Sequence, residues 1–504
     1  MRKKKSLLNI ISSLGSYFVT SIFTLITQAF IVKILGIEYS GINGLFTNVI
    51  TMLSVAELGI GETIIFKLYE PIAKKDTEKI KSWMDFYKLC YRYVAIAVTI
   101  IGLLIIPILP VMVGKVSIKD NITLLYLITL IDCIFSYVMT YKRSLLYADQ
   151  KNYVIMNVHM GYMAFMNITQ IIVLVLFKDY IIYLSVKIIY RILENLILNI
   201  YVNKHYPYIK EKTTPITKEE RKDIFERIKA IFLQKISFVI NKGIDSIVIS
   251  IMLGVSAVGY YTNYNLVALA VTGIIYQIIS STCASVGNLL TEKNVEKNYT
   301  IYKRINMINS FLTGIFMTGF ICCINPLIII WVGKKYLLPL GIVISFVIYI
   351  YSDSIRRSIT IFKEAAGICK EDKKCYIIMA LINLIASILL CKYIGISGVI
   401  LGTAISYLYL IIYSYPKYIF KPLFKKDYKY YHIENIKYLI SSIISIILSY
   451  IIINQISISN VFINLIINGI ISVGIFSIIF ILFFYKSEEY KYYYNLIKDN
   501  IKRR

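Results

Sequence analysis

Acidic residues are scarce in this sequence. Only 29 Asp and Glu stand against 55 Lys and Arg, and charged residues make up 17% of the 504 positions. Soluble chains carry roughly 25% charge, so an ordinary water-soluble domain is excluded. Histidine is rarer still, with three residues, and the eight cysteines show no C-x-x-C spacing. No metal-ligand pattern follows, and the cysteines read as small apolar residues. Also missing are a nucleophile elbow, a Walker loop, an H-E-x-x-H motif and a GxGxxG that opens a helix. Neither a cofactor nor ATP-driven pumping by this chain alone is expected.

What the chain has in abundance is apolar length. It is 58% hydrophobic with a mean hydropathy of +0.68, and runs of spanning length recur from end to end. This composition predicts an all-α polytopic membrane protein. The apolar runs fall at 9–35, 41–66, 89–113, 121–145, 154–177, 180–202, 232–253, 258–289, 305–332, 338–362, 376–394, 396–416, 436–453 and 461–484, about fourteen transmembrane helices. The start, MRKKKSLLNII, continues into the first run with no A-x-A site, which predicts an uncleaved span.

The net charge of +26 is confined largely to alternate loops. Arg2–Lys5, Lys67–Lys88, Lys142–Lys151, Lys204–Lys229, Lys293–Arg304, Lys363–Lys374, Lys417–Lys437 and the tail from Lys486 hold most of it. The positive-inside rule then places both termini in the cytoplasm and the chain in the inner membrane, with no nucleic-acid partner. The outside loops are all short. They leave no room for the catalytic loop that a polytopic polymerase or glycosyltransferase needs, so no enzyme is expected.

The two halves repeat. ILGIEYSG at 34–41 recurs as MLGVSAVG at 252–259, Lys-Asp-Thr-Glu-Lys at 75–79 as Lys-Asn-Val-Glu-Lys at 293–297, and Val-Gly-Lys at 113–115 at 332–334. These offsets lie near 218. Arg143-Ser144 finds a further match in Arg357-Ser358, at 214. A shift over six helices, an even number, predicts parallel repeats about an axis along the membrane normal. The expected organisation is an N-terminal six-helix lobe (1–202), an amphipathic cytoplasmic connector (203–231), a C-terminal six-helix lobe (232–420), two further helices (421–484) and a basic tail (485–504). The connector's Thr-Lys-Glu-Glu at 217–220 is a capping box, and its helix is expected to lie on the membrane surface.

Several spans carry polar residues that bilayer depth makes costly. In the seventh, Gln234, Lys235, Asn241, Lys242, Asp245, Ser246 and Ser250 fall on one side of a helix. Ionisable groups there cost roughly 2.5–3.5 kcal/mol each and face protein or a wet cavity. Two lysines against one carboxylate read as a cationic binding surface. The competing reading is a Lys242–Asp245 pair that only holds helices together. The first span has a hydroxyl stripe through Ser12, Ser16, Thr20, Thr24, Thr27 and Gln28, open equally to helix packing. The second adds Asn43, Thr47, Asn48, Thr51, Ser54 and Glu57. Glu57 at that depth needs a cationic partner or a proton. Asp132 lies in the fourth span, with Lys142 and Arg143 near its inner end. Asp353, Arg356 and Arg357 cluster in the tenth. Arginine suits phosphate through its planar fork, although Lys142, Arg143 and Arg357 could also snorkel to the interface.

The stretches ILGIEYSGINGLFTNVITMLSVAELGIG (34–61), SYVMTYKRSLLYADQKNY (136–153), NKGIDSIVISIMLGVSAVGYYTNYNLV (241–267) and FKEAAGICKEDK (362–373) resemble polysaccharide flippases of the Wzx type. Those belong to the multidrug/oligosaccharidyl-lipid/polysaccharide (MOP) exporter superfamily, beside MATE drug exporters and lipid II flippases. The resemblance implies two pseudo-symmetric lobes. It also implies a cargo, an undecaprenyl-diphosphate-linked oligosaccharide turned from the inner to the outer leaflet. On that reading Lys235, Lys242 and Arg357 hold the diphosphate, Thr20, Thr24 and Asn48 touch sugars, and Arg143 and Asn241 are further substrate-binding residues. Asp245 or Glu57 would carry a coupling proton or Na+, and a polymerase and glycosyltransferases are expected as neighbours. Lipid II flippases place arginines in the first two spans; none occurs at mid-span here, which argues against lipid II itself. A MATE-like exporter of small cationic molecules is the alternative, but the first span lacks the acidic ion site expected of one.

Overall fold

Lys75 and Lys293, the first residues of the two Lys-x-x-Glu-Lys repeats, both adopt a left-handed conformation (φ 57° and 53°). Each is followed by a helix N-cap. Asp76 Oδ1 accepts from the Lys79 N–H at 2.9 Å, and Asn294 Oδ1 accepts from the Lys297 N–H at 3.0 Å. The repeat in the sequence is thus a repeated stop-and-start of the backbone.

The computed structural model describes residues 2–57, 59–138, 140–211, 213–368, 371–456 and 458–502, without the side chains at 2–7, 9–11, 14, 55, 56, 62, 230, 231, 233–235, 237–242, 284, 497 and 500–502. No strand occurs among the described residues. The helices are α1 (Arg2–Phe30), α2 (Ile37–Leu53), α3 (Ile60–Lys74), α4 (Thr77–Ile105), α5 (Leu109–Val113), α6 (Ile122–Val138), α7 (Thr140–Ala148), α8 (Asn152–Phe177), α9 (Tyr180–His205) and α10 (Lys218–Leu253). They continue with α11 (Val255–Ser280), α12 (Cys283–Thr291), α13 (Val295–Trp331), α14 (Leu340–Ile355), α15 (Arg357–Ala366), α16 (Lys373–Ile394), α17 (Ile396–Tyr409), α18 (Lys421–Phe424), α19 (Tyr428–Gln455), α20 (Val461–Phe484) and α21 (Glu488–Lys502).

The duplication runs through the whole backbone. Positive φ recurs at Gly36 and Gly254, Lys75 and Lys293, Gly114 and Gly333, Gln150 and Gly367, and Lys178 and Gly395. These offsets lie between 217 and 219. Each pair ends one helix and admits the next, so α2 corresponds to α11, α4 to α13, α6–α7 to α14–α15, and α8 to α16. On this register the Arg143/Arg357 match fails. Arg143 is the fourth residue of α7, whereas Arg357 is the first of α15. The two arginines are not equivalent, and an offset of 214 was already out of step with the rest.

Nine helices among the described residues are long and apolar enough to cross a bilayer, and α6 with α7, bent by 43°, makes a tenth. The other expected spans are helical but fall short for visible reasons. α2 and α14 have 17 and 16 residues. α9 carries Lys187, Arg191 and Glu194, and α10 is apolar only over Gly243–Leu253. Side chains such as Leu104, Val111, Ile470 and Leu482 are exposed around the outside, which suits hydrocarbon rather than water.

By contacts the chain forms two units, residues 1–262 and 263–504, with the boundary inside α11. The repeat counts α10 with the second half, while packing joins it to α2 and α5. Ancestry and packing are different partitions. The capping box forms as expected: Thr217 Oγ1 accepts from the Glu220 N–H at 3.2 Å, and Glu220 Oε2 accepts from the Thr217 N–H at 3.0 Å. The helix it opens runs unbroken for 36 residues, so the amphipathic stretch and the apolar Gly243–Leu253 belong to one helix. Lys67–Asp223 (2.5 Å) and Lys79–Glu220 (2.6 Å) fasten that amphipathic stretch to α3 and α4.

Candidate functional site

In the first unit, α2 and α10 meet along a polar seam. Gly243 lets the helices close, because a Cβ there would strike the Met52 side chain. The Asn48 amide donates to Ser246 Oγ at 2.7 Å and to the Gly44 carbonyl at 2.9 Å. Asp245 is buried, with the Tyr261 hydroxyl 3.5 Å from its carboxylate. Ser250 donates to the Met112 carbonyl at 2.5 Å. The side chains of Lys235, Asn241 and Lys242, on which the cationic reading rests, lie outside the described residues. What the structure describes is the seam's hydroxyl, amide and carboxylate edge.

The α1 stripe divides into two parts. Thr27 donates to Asn167 on α8 at 2.7 Å, and the Gln28 amide donates to Ser40 Oγ at 2.6 Å, so this end serves packing. Thr20 and Thr24 are half-buried and make no side-chain hydrogen bond among the described residues. Glu57 ends a 3-10 turn after α2. Its carboxylate accepts from the end of a chain of hydroxyls. Ser144 donates to Tyr87 (3.1 Å), Tyr87 to Tyr91 (3.0 Å), and Tyr91 to the Glu57 carboxylate. Three O–H groups in series, each donating onward to an acid, form a hydrogen-bonded path from α7 through α4.

Arg143 belongs to a network the sequence reading missed. Its guanidinium pairs with Glu194 (3.0 Å) and donates to Asn195 Oδ1 (3.2 Å). Glu194 also meets Arg191 (3.2 Å) and His159 Nδ1 (2.9 Å). Arg191 and Lys187 hold Asp132, each at 3.2 Å. Lys142 is buried and donates to Asn199 and Asn203. The signal was present: Lys187, Arg191, Asn195, Asn199 and Asn203 repeat every four residues along α9 and make one face.

In the second unit, Asp353 is shared by two arginines, Arg356 and Arg357, each at 2.5 Å. Arg356 is buried over the Tyr407 ring (4.3 Å), and the more exposed Arg357 lies over Tyr276 (4.9 Å). The Asn309 amide donates to the Ser354 and Ile355 carbonyls at the break between α14 and α15. From the last turn of α15, Lys363 reaches Asp372 (2.5 Å) and Tyr376 (3.0 Å). Burial pushes the Asp372 carboxyl above its usual range, against the pull of Lys363.

An apolar groove of about 530 Å³ opens elsewhere in this unit, lined by Met317, Ile344, Val347, Tyr351, Ile447 and Tyr450 among others. Its lining comes from α13, α14 and α19 with Leu408 of α17. The size is that of ordinary ligand pockets.

Among solved structures, the lipid II flippase MurJ in an inward closed conformation aligns at a TM-score of 0.64 and 20% identity, over 94% of this chain and 99% of that one. A multidrug resistance MATE family transporter of the MOP superfamily, in an inward-facing conformation, aligns at 0.59 and 15% identity, over 80% and 96%. A Vibrio cholerae MATE transporter aligns at 0.55 and 14%, over 85% and 98%. At these identities the likeness is one of fold: that of MOP transporters. No curated protein sequence matches. The profile described as polysaccharide biosynthesis protein matches residues 6–283, 278 of the 504 positions. The chain therefore belongs to the polysaccharide biosynthesis protein family.

Proposed function

We propose that this protein is a flippase that carries undecaprenyl-diphosphate-linked oligosaccharide from the inner to the outer leaflet of the cytoplasmic membrane by alternating access, for surface polysaccharide assembly. The observation that carries the reading is the pairing, in one chain of this family, of polar groups at mid-helix with a separate apolar groove. A lipid-linked glycan has both chemistries. Its isoprenoid tail suits the groove between α14 and α19. Its head needs hydroxyls, amides and cations sheltered from hydrocarbon.

In this proposal Lys235, Lys242 and Arg357 serve the diphosphate, with Arg143 a further substrate-binding residue. Asn241, Asn48, Thr20 and Thr24 serve the sugars. Asp245 or Glu57 carries a proton or Na+, and the hydroxyl path to Glu57 favours a proton there. Both termini lie in the cytoplasm, and a polysaccharide polymerase and glycosyltransferases that handle the same glycan are neighbours in this proposal. The protein moves its cargo without covalent chemistry.

Depletion of the protein tests this. Lipid-linked glycan is expected to accumulate facing the cytoplasm, and Lys242→Ala to insert normally yet fail to export. Normal export on depletion, with increased sensitivity to cationic drugs, would favour a MATE-like exporter instead.

A further inference from the structure

The α6–α9 network does more than a helix staple requires. Counted along α9 from Tyr180 at 1.5 Å per residue, Lys187 lies about 10 Å and Arg191 about 16 Å into a hydrocarbon layer about 30 Å thick. On the span expected at 180–202 Arg191 is the middle residue, about 16 Å from either end and beyond the reach of snorkelling. Charge does not balance. Lys187, Arg191 and Arg143 face Asp132 and Glu194, three cations against two carboxylates, before any proton on His159. The carboxylates are at the back, with side chains 0% and 8% exposed. The cations are in front at 18–19% for the arginines and 32% for Lys187, with His159 at 30%.

Two donors are also left over. The Tyr162 hydroxyl and Arg143 Nε are buried and have no hydrogen-bond partner among the described residues. Tyr162 is 7% exposed and belongs to the cluster, with Arg191 over its ring (5.1 Å) and His159 stacked on it (5.5 Å). Closed structural knots satisfy their donors. A surplus positive charge with idle donors, at membrane depth, is a site for an anion.

We propose that Lys187, Arg191, Arg143, His159 and Tyr162 form an oxyanion site for a carboxylate or phosphate borne on the sugar part of the cargo, so that the glycan carried is itself acidic. The proposal rests on the flippase reading and adds a second anchor, distinct from Lys235, Lys242 and Arg357, the residues assigned to the diphosphate. A carboxylate entering the cluster would neutralise the surplus and accept from the idle donors.

The test is binding to the full-length protein in lipid nanodiscs, with trigalacturonate, maltotriose and inorganic pyrophosphate as probes. Trigalacturonate is expected to bind and maltotriose not. Lys187→Gln should weaken trigalacturonate at least tenfold, Lys187→Arg should restore it, and pyrophosphate affinity should stay within twofold. Lys187 is chosen because it is the most exposed of the cations and has one ion-pair partner. Should Lys187→Gln fail to fold, Arg191→Lys keeps the charge, removes the fork and is expected to weaken the same probe. No preference for trigalacturonate over maltotriose, or binding indifferent to these variants, overturns the site. A loss confined to pyrophosphate overturns the sugar-borne anion. None of these results touches the flippase reading, which stands or falls on whether lipid-linked glycan accumulates when the protein is depleted.

Discussion

Gly41 lies against the backbone carbonyl of Val255, and Gly259 lies against the carbonyl of Ile37. The second contact is the first with each residue exchanged for its partner 218 positions away. Gly44 meets the side chain of Thr262, which is its own repeat-mate. All three contacts lie within the first unit, where α2 crosses the start of α11. The reciprocal glycines explain why ILGIEYSG and MLGVSAVG each keep a second glycine. Any side chain there would push the two backbones apart.

Gly41→Val and Gly259→Val should therefore each destabilise the protein, by about 1–3 kcal/mol as overpacked contacts do. The backbone carbonyl opposite cannot rotate away. Gly161, inside α8, has open space where its Cβ would be, so Gly161→Ala should be neutral or mildly stabilising. Thermal midpoints of the detergent-solubilised variants check the contrast. Equal midpoints for Gly41→Val and wild type would remove the crossing from the account.

Asp353 holds two guanidinium groups and is itself buried. Asp353→Asn would leave Arg356, 4% exposed, with an uncompensated charge, and should cost roughly 3–5 kcal/mol. Adding Arg356→Met should return much of that loss, because the buried charge goes with it. The comparison is a double-mutant cycle on thermal stability. Additive losses would mean the pair is not coupled.

Most of the architecture was legible because it is written in local signals. Loop charge, apolar runs and the repeats at 34–41 and 75–79 gave the spans and the duplication, and the structure shows the latter as matched positive-φ residues. The candidate site was legible only in part. Arg143 suggested phosphate because its true partner, Glu194, is 51 residues away on another helix. The α9 face was overlooked because a span interrupted by three charges reads as a weak span rather than as a polar surface. Thr27 and Gln28 show the converse. Fourfold spacing reports which residues share a face but not what that face meets.

The amphipathic stretch of α10 should respond to acid. Burial opposes ionisation of Glu220, but the contact with Lys79 and the bond from the Thr217 N–H hold its pKa below the usual glutamate value. A depressed carboxylate contributes stability that is complete above the unfolded pKa and lost as pH falls through the folded one. The first turns of α10 should thus exchange amide hydrogens slowly at neutral pH. Once intrinsic rates are corrected for, protection should fall below about pH 4. Glu220→Gln should flatten that dependence while keeping part of the cap. A profile unchanged by this substitution would move the acid sensitivity to Asp223, which Lys67 and Arg227 hold low in the same way.

If the cargo crosses by alternating access, the α2–α10 seam must part in one of the states. Asn48 and Ser246 are in direct contact across it, so cysteines at both positions should be joined by a short, cleavable bifunctional thiol reagent. The described native cysteines are buried or half-buried, and each single-cysteine variant controls for them. Ser246→Cys should lose only the 2.7 Å hydrogen bond, worth about 0.5–1.5 kcal/mol, whereas Asn48→Cys also loses its bond to the Gly44 carbonyl and its proposed sugar contact, so each single variant sets the export level against which the cross-linked pair is read. The cross-linked double variant should stop exporting glycan and recover when the reagent is cleaved. Such recovery separates a locked conformation from a damaged fold, because a misfolded protein would not regain activity on reduction. Export that continues with the link in place would mean that α2 and α10 move as one body, and the path for the cargo would have to be sought elsewhere.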